Sequence, residues 1–283
     1  MNTSSKIKTR SVAAIILAIL TIVPIGIKAQ ENSDEFGVWT TFEASKKINK
    51  KFKFGIDAEF RTFDWLSEVE RYSLGASLDY KFSKYIKANV GYSFMYTHKP
   101  AETSIKDEIL DEEGNTFNEY NFDHDYWVVR NRVYATLSGE YKIGRFEFGM
   151  RERVQYTRTN SATTDETKYR YDLGEDPLFS TEDNAWTTTT EPEFKEAKDN
   201  LTLRSRLSLK YDIPSCKINP FASVELYTRL DEWKGHDKLR YRIGASYKFN
   251  KDNSISLYYL YQDANDDDEP GGHAFGLEYS IDL

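Results

Sequence analysis

The sequence predicts an all-β chain that closes into a transmembrane antiparallel barrel of about 10–12 strands, with short turns at one end and long acidic loops at the other. Between Val69 and Thr97, apolar and polar residues alternate for about ten positions on each side of a turn at Ser83-Lys84. A period of two over this length predicts a hairpin with one apolar and one polar face. Strands of soluble proteins usually have about five or six residues, whereas a strand that crosses a bilayer needs about 9–11.

The first 29 residues have the pattern of a secretory signal peptide. Three basic residues up to Arg10 precede an apolar run from Val12 to Ile27, which leads to Ala29. Basic, apolar and small-residue zones in this order predict export and cleavage after Ala29, which leaves residues 30–283 as one barrel domain. A retained N-terminal membrane helix is the alternative, and Pro24 within the apolar run counts against it.

Charge and composition exclude other classes. The formal net charge is −8, and it becomes −12 without the signal segment, which carries four basic residues and no acidic ones. A nucleic-acid partner needs a basic face, so none is expected. No later segment has the ~18 uninterrupted apolar residues of a spanning helix. Cys216 is the one cysteine and therefore predicts no internal disulfide.

The alternation recurs from Phe52 to the C terminus. Ten segments carry it: residues 52–63, 69–82, 86–97, 127–141, 146–158, 201–211, 218–229, 239–249, 255–261 and 275–283. An even number of strands closes in antiparallel fashion. The segment Phe36–Lys46 alternates weakly, and it predicts either a further wall strand whose partner is not evident or a plug inside the barrel.

The connections between these segments alternate between short and long. Short turns lie at Ser83, Gly144, Pro214 and Lys251, and longer loops begin near Asp64, His98, Thr159, Leu230 and Asp263. His98–Asp125 carries nine acidic residues against two lysines, and Thr159–Asn200 is predicted to be irregular. Short periplasmic turns and long external loops are typical of outer-membrane barrels, so we expect this chain in the bacterial outer membrane.

Alternation alone does not distinguish a membrane barrel from a lipocalin-like soluble barrel, which would bury the same apolar face. Aromatic residues on that face favour the membrane because they form two girdles, as in transmembrane barrels. The girdle near the short turns comprises Tyr80, Phe82, Tyr141, Phe146, Tyr211, Tyr247 and Phe249. The girdle near the long loops comprises Phe60, Tyr72, Tyr96, Trp127, Tyr156, Tyr241 and Tyr261.

Several short motifs, in this order, resemble a known family. They are Val38-Trp39-Thr40, Asn89-Val90-Gly91-Tyr92, Leu203-Arg204-Ser205-Arg206, Asn219-Pro220-Phe221-Ala222-Ser223-Val224-Glu225, Arg240-Tyr241-Arg242-Ile243-Gly244 and His273-Ala274-Phe275-Gly276-Leu277. Together they resemble the uncharacterised outer-membrane barrel proteins grouped as domain of unknown function 2490. The resemblance spans nearly all of the chain after Ala29. It implies a barrel and an outer-membrane location, but no substrate, activity or cofactor.

Arginine is concentrated on the inward parity of the strand halves near the long loops. The predicted arginine belt consists of Arg61, Arg71, Arg130, Arg132, Arg151, Arg153, Arg204, Arg206, Arg229, Arg240 and Arg242. The inward acids, Asp57, Glu59, Glu140, Glu147, Glu225 and Glu278, are fewer and mostly lie nearer the short turns. Such a belt predicts either ion-pair ladders that fill a narrow barrel or a lumen that attracts small anionic solutes.

The rim offers weaker candidates for chemistry. His98, His124, His236 and His273 lie in or beside predicted external loops, near acidic residues. A His-Asp pair there would suit an outer-membrane hydrolase, although no serine motif accompanies it. The acidic run Asp263–Gly272 offers oxygen ligands for calcium without the spacing of a known calcium loop. The sequence therefore predicts a non-enzymatic barrel without a cofactor, either a structural or surface protein or a narrow channel, with the hydrolase as the alternative.

Overall fold

The computed structural model describes residues 35–110, 116–171, 187–231, 236–264 and 271–283. The predicted signal peptide and its cleavage site at Ala29 lie outside these ranges. Within them the chain forms fifteen β-strands and no helix. The described residues include no helix with the length and apolar character needed to cross a membrane.

Eleven of these strands form a closed barrel. They are β1 (Glu35–Lys47), β2 (Phe52–Phe63), β3 (Glu68–Lys81), β4 (Ile86–Lys99), β7 (Tyr126–Ile143), β8 (Phe146–Thr159), β11 (Lys198–Tyr211), β12 (Ile218–Arg229), β13 (His236–Lys248), β14 (Asn253–Ala264) and β15 (Gly272–Asp282). The order around the wall is β1-β15-β14-β13-β12-β11-β8-β7-β4-β3-β2. The long alternating runs thus form one continuous wall, as the sequence predicts.

The barrel closes through a parallel pair, which corrects the expectation of a wholly antiparallel wall. β1 lies antiparallel to β2 and parallel to β15, with Glu35 opposite Gly272 and Ser45 opposite Asp282. The segment Phe36–Lys46 is therefore a wall strand and not a plug. Its partner is the last strand, and an odd number of strands allows those two to meet only in parallel.

The described parts of the two longest connections are folded, so the prediction of an irregular stretch at Thr159–Asn200 is wrong for residues 159–171 and 187–200. They contain β5 (Glu102–Leu110), β6 (Thr116–Asp123), β9 (Ala162–Tyr171) and β10 (Thr187–Lys195). These strands form a second sheet in the order β10-β9-β6-β5, which matches the order β11-β8-β7-β4 in the wall. Each strand of this rim sheet follows or precedes its wall strand after a two-residue break.

The connection at Asp64 is also shorter than the sequence predicts. Only four residues separate β2 from β3, and Asp64 and Trp65 both have positive φ angles of 44° and 61°. The Trp65 ring stacks on Phe36 at a centroid distance of 4.4 Å, and the Trp65 amide donates to the Phe36 carbonyl. This tight turn therefore fastens the beginning of β1 to the wall.

The outer face of the wall is apolar and exposed. Its middle carries aliphatic side chains that are more than half exposed: Leu74, Val90, Val133, Leu137, Met150, Leu207 and Leu257. The predicted girdle aromatics lie on the same face in contact with one another, such as Tyr96 with Trp127 (4.7 Å between centroids) and Phe146 with Tyr211 (4.9 Å). Most of the buried side chains of the wall strands instead lie inside the barrel, and most of these are polar or charged.

Candidate functional site in the barrel lumen

The lumen has two halves of very different width. Near the long connections, eight cations and a few polar residues surround a space of only about 40 Å³. We call these cations the arginine layer: Arg61, Arg71, Arg130, Arg132, Arg204, Arg229, Lys238 and Arg240. Towards the short turns, the lumen widens into a cavity of about 670 Å³, which we call the vestibule. Arg61, Arg132, Arg204 and Arg240 border both spaces, so the layer is the inner end of the vestibule.

Glu225 is the deepest carboxylate of the layer. It is 2% exposed and accepts a hydrogen bond from Arg204 Nη2 at 3.0 Å. Arg151 pairs with Oε1 of Glu225, whereas the Tyr227 hydroxyl donates at 3.3 Å to Oε2, the oxygen that Arg204 also contacts. Two guanidinium groups on one buried carboxylate stabilise the negative charge, because each replaces hydration that burial removes.

Glu59 has the same role on the other side of the lumen. Arg61 Nη2 donates to one of its oxygens at 2.9 Å, and Arg71 Nη2 donates to the other at 3.4 Å. Glu70 lies 3.9 Å from both arginines, and its position coincides with the irregularity in the pairing of β2 with β3. These carboxylates connect neighbouring strands across the inside of the wall.

Aromatic rings also contact guanidinium groups of the layer. Arg61 lies 3.6 Å and Arg240 4.9 Å above the Trp39 ring, while Arg204 lies 4.5 Å above the Tyr227 ring. Such cation–π contacts contribute about 2 kcal/mol or more when they are desolvated. Trp39 also packs in a small apolar cluster with Tyr258, Leu260 and Ala274. The layer is therefore a packed assembly of cations, rings and carboxylates.

The vestibule is wide because its wall carries short side chains. Ten of its lining residues are serines: Ser45, Ser73, Ser77, Ser93, Ser138, Ser208, Ser223, Ser246, Ser256 and Ser280. Gly55 and Gly149 also line it. A serine side chain extends about one bond beyond Cβ, whereas an arginine side chain extends about five. Strands that carry serines therefore leave open space in this half of the lumen.

Two tyrosines lie flat against the wall at the height where the vestibule meets the layer. A Cβ added at Gly91 would overlap the Tyr134 ring, and one added at Gly276 would overlap the Tyr258 ring. The exposed side of each ring holds a guanidinium, Arg153 at 4.1 Å from Tyr134 and Arg242 at 4.8 Å from Tyr258. The two glycines thus provide the room for ring–arginine stacks that do not obstruct the vestibule.

The sequence-predicted belt occupies two levels. Seven of its arginines belong to the arginine layer, and the other four, Arg151, Arg153, Arg206 and Arg242, line the vestibule. Among the predicted inward acids, Asp57, Glu59, Glu140, Glu147 and Glu278 line the vestibule, and Glu225 is buried beside the layer. Sequence reasoning did not assign Trp39, Tyr227 or Lys238 to this site. The inward parity of Trp39 beside Thr41 and Glu43 was the available signal for the first of them.

The rim histidines form two separate pairs. His98 Nε2 lies 2.9 Å from the Asp125 carboxylate, and this hydrogen bond lowers the pKa of Asp125. His124 Nε2 lies 3.0 Å from the Thr167 hydroxyl, which is buried. A hydrolase needs a nucleophile, a base and an orienting acid in one chain of contacts. Within the described ranges, the acid and the hydroxyl contact different histidines.

The other two histidines and the predicted calcium run add no further site. His273 Nδ1 lies 2.5 Å from the Tyr259 hydroxyl on the outer face. The side chain of His236 and most of the acidic run, residues 265–270, lie outside what the structure describes.

The rim sheet brings three carboxylates together instead. Carboxylate oxygens of Asp123, Glu166 and Glu193 lie within 4.8 Å of one another. Lys195 Nζ lies 2.7 Å from Asp123 and 2.5 Å from Glu193. Burial alone would lower the pKa of Lys195, but the hydrogen bonds to these two carboxylates raise it. Asn121 donates to Glu166 at 2.8 Å. The carboxylates are thus held by groups of the chain itself.

Comparisons with known proteins place the chain in a family. A family model described as "Protein of unknown function (DUF2490)" matches residues 36–271. No curated protein sequence matches the chain. Among solved structures, it is similar to the β domain of the Bordetella autotransporter BrkA, with 9% identity, coverage of 83% of each chain and a TM-score of 0.42. It is also similar to the CymD monoaromatic hydrocarbon channel, with 10% identity, coverage of 80% of this chain and 82% of that one, and a TM-score of 0.36.

Proposed function

The chain belongs to the DUF2490 family, and we propose that it is a transmembrane barrel of the bacterial outer membrane whose lumen is closed at one end. The vestibule opens towards the short turns and ends at the arginine layer. In this role the protein is not a general porin. It is a structural or solute-binding barrel, and passage across it requires rearrangement of the layer.

The outer face of the wall supports the membrane location. Leu74, Leu207 and Leu257 are each about 60% exposed, and they belong to a continuous apolar band between two sets of aromatic residues. Soluble proteins rarely expose apolar patches larger than a few hundred Å². Transmembrane barrels expose such a band to lipid and place polar residues inside.

The lengths of the connections support the orientation. Bacterial outer-membrane barrels have short turns on the periplasmic side and longer connections outside. The rim sheet and its acidic residues would then face the exterior, and the vestibule would face the periplasm. A solute would therefore enter the vestibule from the periplasmic side.

The observation that supports a closed lumen is the small free volume within the arginine layer. Its free space of about 40 Å³ accommodates a few water molecules, since one water needs about 10–15 Å³ of this volume. Ion pairs to Glu59 and Glu225 and the Trp39 and Tyr227 rings hold the surrounding guanidinium groups in place. A hydrated organic solute does not pass such a layer without displacing it.

Fractionation and single-channel recording test the two parts of this proposal separately. We expect the protein in the outer-membrane fraction, with faster gel migration before heating than after. We expect no steady single-channel steps from the purified protein in a planar bilayer. Recovery as a soluble periplasmic protein would contradict the membrane location, whereas steady conductance of the wild type would contradict the closed lumen.

A further inference from the structure

Arg130 stands apart from the other members of the arginine layer. Its side chain is 4% exposed and borders the narrow space of the layer. Its Nε and Nη1 atoms are buried and have no hydrogen-bond partner among the described residues. In the wall it lies opposite Met95 on β4 and Thr159 on β8, neither of which carries a charge.

A buried guanidinium with two unsatisfied nitrogens is unfavourable. Burial removes its hydration, and the cost of an unsatisfied charged donor is greater than that of a neutral one. The neighbouring cations add repulsion, because eight cations share a small space. The local chemistry therefore calls for a bound acceptor with negative charge.

We propose that the arginine layer binds the oxyanion group of a small water-soluble molecule, a phosphate or a carboxylate, and that Arg130 is one of its ligands. Guanidinium groups bind both oxyanions through paired hydrogen bonds. The space of about 40 Å³ suits such a group and is too small for a whole metabolite. The site rests on the closed lumen proposed above and is independent of the membrane location.

The vestibule indicates the rest of the ligand. It adjoins the layer through Arg61, Arg132, Arg204 and Arg240, and its volume of about 670 Å³ is that of a typical small-molecule site. Serine hydroxyls and charged groups line it, so a polar body is favoured over an acyl chain. We therefore assign the oxyanion to a soluble organic anion and not to a lipid headgroup.

Thermal unfolding of the full chain in a neutral detergent tests the site, with inorganic phosphate and succinate as probes and sodium chloride at equal ionic strength as the salt control. We expect phosphate or succinate to raise the unfolding temperature, because a ligand that binds the folded state stabilises it. Arg130→Gln should weaken the apparent affinity about 10- to 100-fold. Without the anion, this variant should be as stable as the wild type or more stable, since it removes an unpaired charge.

Arg158→Gln is the matched control. It removes the same charge outside the layer and the vestibule, where the half-exposed Arg158 pairs with Asp199 at 2.9 Å, and it should keep the anion response. Arg130→Lys keeps the positive charge but lacks the planar guanidinium that makes paired hydrogen bonds. This variant should therefore bind the anion more weakly than the wild type, and it tests the site if the glutamine variant does not fold.

Three results would overturn the proposal. The first is the absence of any stabilisation beyond that by chloride, and the second is an equal loss of the response in the Arg130 and Arg158 variants. The third is Arg130-dependent stabilisation by phosphatidylglycerol in the micelles but not by inorganic phosphate, which would assign the oxyanion to lipid. None of these results would change gel migration or fractionation, so failure of the site is distinguishable from failure of the barrel.

Discussion

The same eleven strands enclose two different interiors. Near the short turns many inward positions carry serine or glycine between the charged residues, and the lumen is a cavity of about 670 Å³. Near the long connections the inward positions carry arginine and aromatic residues, and about 40 Å³ remains. The strand number is identical in both halves, so the length of the inward side chains decides whether the barrel is open or filled. Strand number sets only the upper limit of the bore.

The two halves also differ in how far their ion pairs are exposed to water. In the layer, Glu225 is 2% exposed and pairs with two guanidinium groups. In the vestibule, Glu140 pairs with Lys87 at 2.7 Å while both side chains remain about half exposed. Water can hydrate the second pair if either partner is removed, but it cannot reach the first. The contribution of an inward ion pair therefore depends on which half contains it.

Removal of a carboxylate from each half should give the largest difference. We expect Glu225→Gln to lower the free energy of unfolding by about 3–5 kcal/mol, because it leaves Arg151 and Arg204 without their negative partner in a buried site. Glu140→Gln should change it by less than about 1 kcal/mol, as is usual for exposed pairs. Urea unfolding in detergent micelles measures both values. Equal effects would mean that the layer is as hydrated as the vestibule.

A charge introduced on the outer face should destabilise the protein less than the loss of Glu225. It tests whether the outer and inner faces of the wall differ in their tolerance of charge. Val90 is 54% exposed on the outside of β4, and its neighbour Asn89 lines the vestibule. Val90→Lys should cost about 2–4 kcal/mol of folding free energy in a bilayer if the position lies near the midplane. Asn89→Lys should be nearly neutral because its side chain enters the vestibule. Folding equilibria in lipid vesicles provide the measurement, and a larger loss for Asn89→Lys would reverse the assigned faces.

The smallest effect is expected in the rim sheet, whose ion pairs are partly exposed like those of the vestibule. The hydrogen bonds from Lys195 to Asp123 and Glu193 raise its pKa although burial opposes them. Their contribution to stability should be complete below the unfolded pKa of about 10.5 and should disappear as pH rises through the folded value. Lysine carbon NMR should show titration of Lys195 above 10.5.

Substitution of the same lysine measures how much these pairs stabilise the protein. Lys195→Met should cost less than about 1 kcal/mol at neutral pH. Lys50→Met, in the exposed turn between β1 and β2, provides the control and should leave the urea midpoint unchanged. A cost for Lys195→Met as large as that expected for Glu225→Gln would show that the rim sheet is as closed to water as the arginine layer.

The wall was predictable because its information is local. Alternation within 52–63 or 86–97 identifies a strand and its two faces without reference to any partner. The inward arginines follow from the same parity. Pairing across the closure is not local, since no feature of Phe36–Lys46 specifies the last strand as its neighbour or a parallel direction. In the structure the other ten strands pair antiparallel with one another, and β1 occupies the single remaining position, between β2 and β15.

The rim sheet escaped prediction for a related reason. Segments such as Thr187–Lys195 and Glu102–Leu110 contain threonine, proline and acidic residues instead of a continuous apolar face. Their order follows the strands below them, so the wall supplies the alignment that their own sequences do not. The vestibule was likewise missed, because alternation distinguishes polar from apolar residues but does not distinguish short polar side chains from long ones.

The parallel seam between β1 and β15 constrains how this chain could be rearranged by circular permutation. Glu35 lies beside Gly272 at the long-connection mouth, whereas Leu283 donates to the Ser45 carbonyl at the opposite mouth. In a barrel with an even number of strands, a few residues would join the first strand to the last. Here a linker from Leu283 to Glu35 would have to run the length of β15, about 33 Å for eleven residues, so it would need about ten extended residues and would lie either in the lumen or on the outer face.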